Sequence, residues 1–206
     1  GIGITIVALW KNTQLFPKKE QRIFRKTTFS EVGRYAFFTC LQQSVMNFGI
    51  LMIQGLVNSF GTAIMAAFAA AVKIDTLAYM PVQEFGNAFS LFISQNHGAK
   101  RPDRVTAGIH TAVRVSILFC VIISAVVWIF ARPLMQIFVN AGETTIIAEG
   151  VRYLHIEGGF YWGIGCLFLL YGLYRAIERP AMSLVLTIVS LGTRVVLAYA
   201  FAPNTP

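Results

Sequence analysis

Residues 105–131 read VTAGIHTAVRVSILFCVIISAVVWIFA, with Arg114 the only charge among 27 residues. A helix needs about 20 apolar residues to cross about 30 Å of hydrocarbon. This stretch exceeds that, and it has no alternation that would suit a half-buried strand. Working outward, four more long apolar segments fall at 35–59, 62–95, 146–174 and 181–202. The second and fourth are longer than a span requires, which predicts tilt, kinking or extension beyond the bilayer. Pro81 lies inside the second, where a kink is expected. The expected fold class is all-α, a polytopic transmembrane helix bundle.

Composition agrees. The 206 residues are 56% hydrophobic and 13% charged, against about 25% charged in a typical soluble domain. So few charges cannot make the surface of an ordinary globular protein, and so much apolar content excludes disorder.

The net charge of +8 is sorted by position. Residues 11–34 form a polar stretch carrying Lys11, Lys18, Lys19, Arg22, Arg25, Lys26 and Arg34. Lys100, Arg101 and Arg104 lie between the second and third spans, and Arg175 and Arg179 between the fourth and fifth. Together these make 12 of the 17 basic residues, all on one side of the membrane if the spans alternate. That side is then cytoplasmic. Charge sorted in this way argues against a nucleic-acid partner, which would need it gathered on one module. Residues 1–10 are apolar but too short to span. They have no basic leader or cleavage site, and read as the end of a helix that began earlier.

Polar side chains inside the spans carry the functional information. Gln43, Asn47, Gln54 and Asn58 recur at steps of four, seven and four on one face of the first full span. They serve either as hydrogen-bond glue between helices or as the wall of a substrate cavity. The second span holds Lys73, Asp75 and Glu84. Glu84 lies on nearly the same face as Lys73 but roughly 16 Å along the axis, and Asn87 and Ser94 extend that face. Asp75 points elsewhere. Intramembrane charges mark either structural ion pairs and snorkelling or a functional cavity. Glu157 stands among Tyr153, His155, Tyr161 and Trp162. This is either an interfacial aromatic belt or the rim of a site for organic cations. Arg194 in the last span either snorkels or pairs.

Cys40, Cys120 and Cys166 lie in apolar runs and read as small hydrophobes. His97, His110 and His155 lack metal-ligand spacing. There is no P-loop and no nucleophile elbow. An enzyme is not expected, nor is a cofactor. Any work must draw on an ion gradient or a partner.

Several short motifs share one resemblance: Leu41-Gln42-Gln43-Ser44, Leu56 to Thr62, Lys73-Ile74-Asp75 with Pro81, Gln95 to Arg104, Arg132-Pro133-Leu134 and Gly172-Leu173-Tyr174-Arg175. The series resembles the second half of the multidrug and toxic compound extrusion (MATE) transporters, with Gln95-Asn96-His97-Gly98-Ala99-Lys100-Arg101-Pro102-Asp103-Arg104 its most specific piece. The resemblance implies the C-terminal lobe of a twelve-helix, two-lobed transporter. Residues 1–10 would be the end of span 6, 11–34 the cytoplasmic inter-lobe linker, and 35–206 the lobe with spans 7–11. It implies secondary active efflux of organic cations and drugs in antiport with Na⁺ or H⁺, by alternating access, in the inner membrane of a prokaryote. The partners would be the first lobe and membrane lipid. Some branches carry a coupling Glu in span 7 and an Asp in span 10. The matching positions here are Met46 and about Ile164, and neither is acidic. Other branches couple through an Asp in the first lobe, which this sequence would not show. The polar residues within the spans give the candidate cavity: Gln43, Asn47, Gln54, Lys73, Asp75, Glu84, Asn87 and Glu157. A flippase for lipid-linked saccharides, from a related branch, or a structural membrane subunit are the alternatives.

Overall fold

The computed structural model describes residues 2–11 and 25–202, and side chains from Val7 onward. Seven helices account for almost all of them: α1 (Ile2–Lys11), α2 (Lys26–Asn58), α3 (Thr62–Gly98), α4 (Pro102–Phe138), α5 (Thr144–Gly158), α6 (Tyr161–Ala176) and α7 (Pro180–Phe201). No strand occurs among the described residues. The chain divides into two units, residues 1–37 and 38–206. In the first, α1 ends at Lys11. Of the basic stretch 11–34, residues 12–24 lie outside the described residues, and from Lys26 the chain is already helical.

α2, which begins in the first unit and ends in the second, and α3, α4 and α7 of the second are each long and apolar enough to cross a membrane. α5 and α6 together make a fifth crossing, bent by 54° at the residues between them. The bend has local causes. Gly158-Gly159 offers the least helix propensity in the segment. The Gly158 carbonyl is taken by the Ser124 hydroxyl of α4 at 2.6 Å, and Phe160 N–H turns back to the Glu157 carbonyl at 2.9 Å. The kink expected at Pro81 is not where the chain breaks. α3 runs as one helix from Thr62 to Gly98 with Pro81 exposed on its surface.

α3 is the central element, packed on α4, α5 and α6, with α7 against α6. One apolar cluster joins Ala71, Ile74 and Val82 of α3 to Cys120, Val127 and Met135 of α4, Leu154 of α5 and Tyr161 of α6. A second joins Phe89 and Ile93 to Ala112, Leu169 and Ala176. Many large apolar side chains face outward instead, including Leu118, Ile129 and Val196, each more than 60% exposed. That arrangement suits lipid as the solvent.

Where lipid surrounds helices, small residues let backbones approach. α3 and α6 use this at Gly86 and Gly172. A Cβ on Gly172 would lie 2.6 Å from the Gly86 carbonyl oxygen. The two helices run parallel in a steady register. Asp75 meets Tyr161 and Gly86 meets Gly172, each pair 86 positions apart, and Asn87 meets Arg175 at 88.

The corners at the basic end share one design. Lys100 and Glu178 both take positive φ, 53° and 63°. Each is followed by Arg and then by a Pro that opens the next helix. Arg101 N–H closes on the Asn96 carbonyl at 3.0 Å and Arg179 N–H on the Tyr174 carbonyl at 2.9 Å. These bonds satisfy carbonyls that the ends of α3 and α6 leave over, as a left-handed cap does.

Candidate functional site at the broken span

The buried face of α3 runs through Ala71, Ile74, Asp75, Val82, Gly86, Phe89 and Ile93. Six of these suit an apolar interface and Asp75 does not. Its side chain is turned into the bundle, and the residue is only 3% exposed. One carboxyl oxygen accepts a hydrogen bond from the hydroxyl of Tyr161, the first residue of α6. The other, Oδ2, is buried without a hydrogen-bond partner. A buried carboxylate left half-satisfied costs several kcal/mol, so its retention demands a reason.

The surroundings extend the site across the break. Tyr153 and Glu157 of α5 and Arg194 of α7 lie within electrostatic reach of Asp75. Glu157 pairs with Arg194 at 3.7 Å, the one ion pair among the described residues. A carboxyl and a phenol from α5, a phenol from α6 and a guanidinium from α7 thus surround one acid. Discontinuous helices that meet ionisable groups near mid-membrane are how many transporters build ion sites. No group of three or more His, Cys, Asp or Glu among the described residues is placed to hold a metal ion.

The other predicted residues fall in three places. Gln43, Asn47, Gln54 and Asn58 are all exposed along α2, which itself contacts α7 through Gly49 against Leu191 and through Tyr199, whose hydroxyl donates to the Met52 carbonyl at 3.3 Å. Lys73 lies exposed over the Phe138 ring, 5.8 Å from its centroid, at the mouth of a cavity of about 330 Å³ shared with Asn140 and Glu143. Glu84 and Asn87 form a third group. The Asn87 amide donates to Glu84 at 3.3 Å, and Arg175 donates to the Asn87 carbonyl oxygen at 3.0 Å. The aromatic residues around Glu157 diverge. His155 stacks tilted on Trp128, Tyr153 meets Phe68 edge-on, Tyr161 is buried against Asp75, and Trp162 is exposed. Arg194 pairs with Glu157 rather than reaching for the interface alone.

Sequence reasoning missed Tyr161 as the partner of Asp75 and Arg175 as the partner of Asn87. An acid in register with Ala71 and Val82 must find a buried donor. That register was the available signal for the first pair, though it names no partner.

Five membrane-length segments, one of them broken, with a half-satisfied carboxyl of α3 facing the break, have the build of part of a membrane transporter. The family model supports that class. The MatE model matches residues 36–200, and the chain belongs to that family. It is similar to the Probable multidrug resistance protein YpnP of Bacillus subtilis (strain 168), with 31% identity over 78% of this chain and 35% of that protein. It is also similar to the Probable multidrug resistance protein NorM of Thermotoga maritima, with 21% identity over 94% of this chain and 41% of the relative. The fold matches a crystal structure of a MATE protein in complex with MaL6, with a TM-score of 0.87 and 17% identity, over 99% of this chain and 48% of that one. The chain thus spans about two fifths or less of these curated relatives, and about half of the solved structure. It is an integral protein of the inner membrane.

Proposed function

We propose that this chain supplies one lobe of a secondary active exporter, which expels drugs and other organic cations in exchange for inward H⁺ or Na⁺. The carrying observation is Asp75, a carboxyl buried inside a membrane-spanning bundle with Oδ2 unpartnered and Tyr161 on its other oxygen. A proton or small cation arriving there neutralises the charge and takes the vacant oxygen. Tyr161 opens α6 just after the bend, so the strength of its bond to Asp75 bears on the angle between α5 and α6. An ion that favours one setting of that angle shifts the balance between two lobe arrangements. Glu157, across the bend and paired with Arg194, is the second acid through which such a charge change is felt. Neither the span 7 Glu nor the span 10 Asp of other branches has a counterpart here; of the acids in these spans, Glu157 is paired with Arg194 and Glu84 is exposed, and Asp75 is the buried one.

The test is gradient-driven efflux of ethidium from vesicles carrying the intact transporter. Asp75→Asn keeps the volume and removes the titratable charge. It is expected to abolish dependence on the imposed gradient while the protein still inserts and binds ethidium. Efflux that follows the gradient as in the unsubstituted protein would reject Asp75 as the coupling group.

A further inference from the structure

Arg175 takes no part in the Asp75 site, and the charge count assigns it simply to a basic loop. In the structure it occupies the last turn of α6, half-buried, with its side chain tied inward. Nε donates to the Tyr171 carbonyl at 3.2 Å and Nη2 to the Asn87 Oδ1 at 3.0 Å. Both acceptors are neutral, and no described carboxylate lies within 4.0 Å of the guanidinium. A guanidinium carries five N–H donors, so three remain unassigned. A snorkelling arginine would extend along the helix toward water. This one is held sideways against α3.

The surface it is held against is also unusual. Glu84 and Asn87 are exposed on α3, beside its contact with α6. A helix of 37 residues is about 55 Å long, and hydrocarbon is about 30 Å thick. With α3 centred, Glu84 and Asn87 lie inside the hydrocarbon layer, toward its basic side. Lipid does not tolerate such a face, so it borders a wet cavity or another protein surface. On it an unneutralised guanidinium and a carboxylate sit on either side of one amide, which positions both.

We propose that Arg175, positioned by Asn87, binds an oxyanion (a carboxylate or a phosphate) on the molecule carried, while Glu84 faces that molecule's cationic part. The new element is the place of the oxyanion contact, at the end of α6 beside Asn87 of α3. This rests on the efflux reading for the identity of the carried molecule, but the site is tested by binding, which needs no gradient.

The probes are rhodamine B, which has a cationic ring system and a free carboxylate, and its ethyl ester, which keeps the cation and loses the carboxylate. Binding of each to the intact transporter is followed by fluorescence anisotropy in dodecyl maltoside, which carries no phosphate. Arg175→Gln is expected to weaken rhodamine B by about tenfold or more and the ester by less than about threefold. Asn87→Ala, which frees the guanidinium, lowers the same acid-to-ester ratio, and Arg175→Lys falls between. Glu84→Gln weakens both dyes. Equal weakening of the two dyes by Arg175→Gln, or an unchanged ratio in both Arg175→Gln and Asn87→Ala, overturns the proposal. Repeating the measurement in phosphatidylglycerol nanodiscs separates the sources of the oxyanion. A ratio that survives there assigns the site to the carried molecule, and one that is erased assigns it to a lipid headgroup phosphate. Gradient-driven efflux of the ester is scored separately. Its absence defeats the efflux reading and leaves the binding result standing.

Discussion

Tyr161→Phe removes one hydroxyl and keeps the ring, which is 2% exposed and fixed in the core cluster. No apolar contact is lost and no cavity opens. What changes is Asp75, which loses the hydroxyl on one carboxyl oxygen while Oδ2 already lacks a partner, leaving the Tyr153 hydroxyl as the remaining phenol near it. Removing one partner of a buried acceptor costs about 1–3 kcal/mol, more when the acceptor is charged. A chain of about 450 residues moves its midpoint by about 1 °C per kcal/mol, so a drop of about 1–3 °C is expected for the intact transporter. Asp75→Leu should act in the opposite direction, because replacing a buried, half-satisfied charge by an apolar side chain is neutral or stabilising. Combining the two closes a double-mutant cycle. In the Asp75→Leu background, Tyr161→Phe should cost less than about 0.5 kcal/mol. The assay is thermal unfolding of the purified intact transporter in detergent. Equal cost in both backgrounds would show that the hydroxyl serves something other than Asp75, and the proposed coupling between this acid and the bend would fall with it.

Two further outcomes follow from packing and backbone. Gly172→Ala puts a methyl 2.6 Å from the Gly86 carbonyl oxygen, so α3 and α6 must part, at about 1–3 kcal/mol; melting together with a cysteine cross-link between the two helices would register both the loss and the displacement. Lys100→Gly and Glu178→Gly each relieve an L-residue held at positive φ and should raise stability by roughly 1 kcal/mol, additively, since the two corners share no partner; a fall in midpoint for either would refute the strain.

The fold class was legible because lipid imposes a simple rule. Val115 to Ala131 has no charge to spare for water, and the basic residues collect beside the spans. The excess length of the fourth span made tilt or kinking expected, but the place of the break was not legible. Arg152, His155 and Glu157 interrupt the apolar run without marking it, and Gly158-Gly159 reads equally well as a close-packing surface. What decides it is a hydroxyl from Ser124, 34 positions earlier. Pro81 does not end its helix: one missing N–H on an exposed face leaves α3 continuous from Thr62 to Gly98, with its other side packed against three neighbours.

The site was half readable. That Asp75 and Lys73 diverge follows from a two-residue step on a helix, and the structure turns one inward and the other outward. The partners were beyond reach because Tyr161 lies 86 positions away and Arg175 lies 88 from Asn87. No spacing rule spans that distance, and in sequence both residues fit blander roles at an interface and in a loop.

The close approach of Gly86 and Gly172 has a mechanical consequence. Asp75 and Tyr161 each lie eleven residues, or about 16 Å, to one side of it. Asn87 and Arg175 lie one and three residues to the other side, within about 5 Å. If the two helices scissor about that contact by 10°, the far tips separate by about 3 Å, enough to part a hydrogen bond, while the near pair shifts by under about 1 Å. The contact is a fulcrum with unequal arms. The long arm carries the Asp75–Tyr161 bond proposed to sense the ion, and the short arm carries the Asn87–Arg175 pair proposed to hold the cargo.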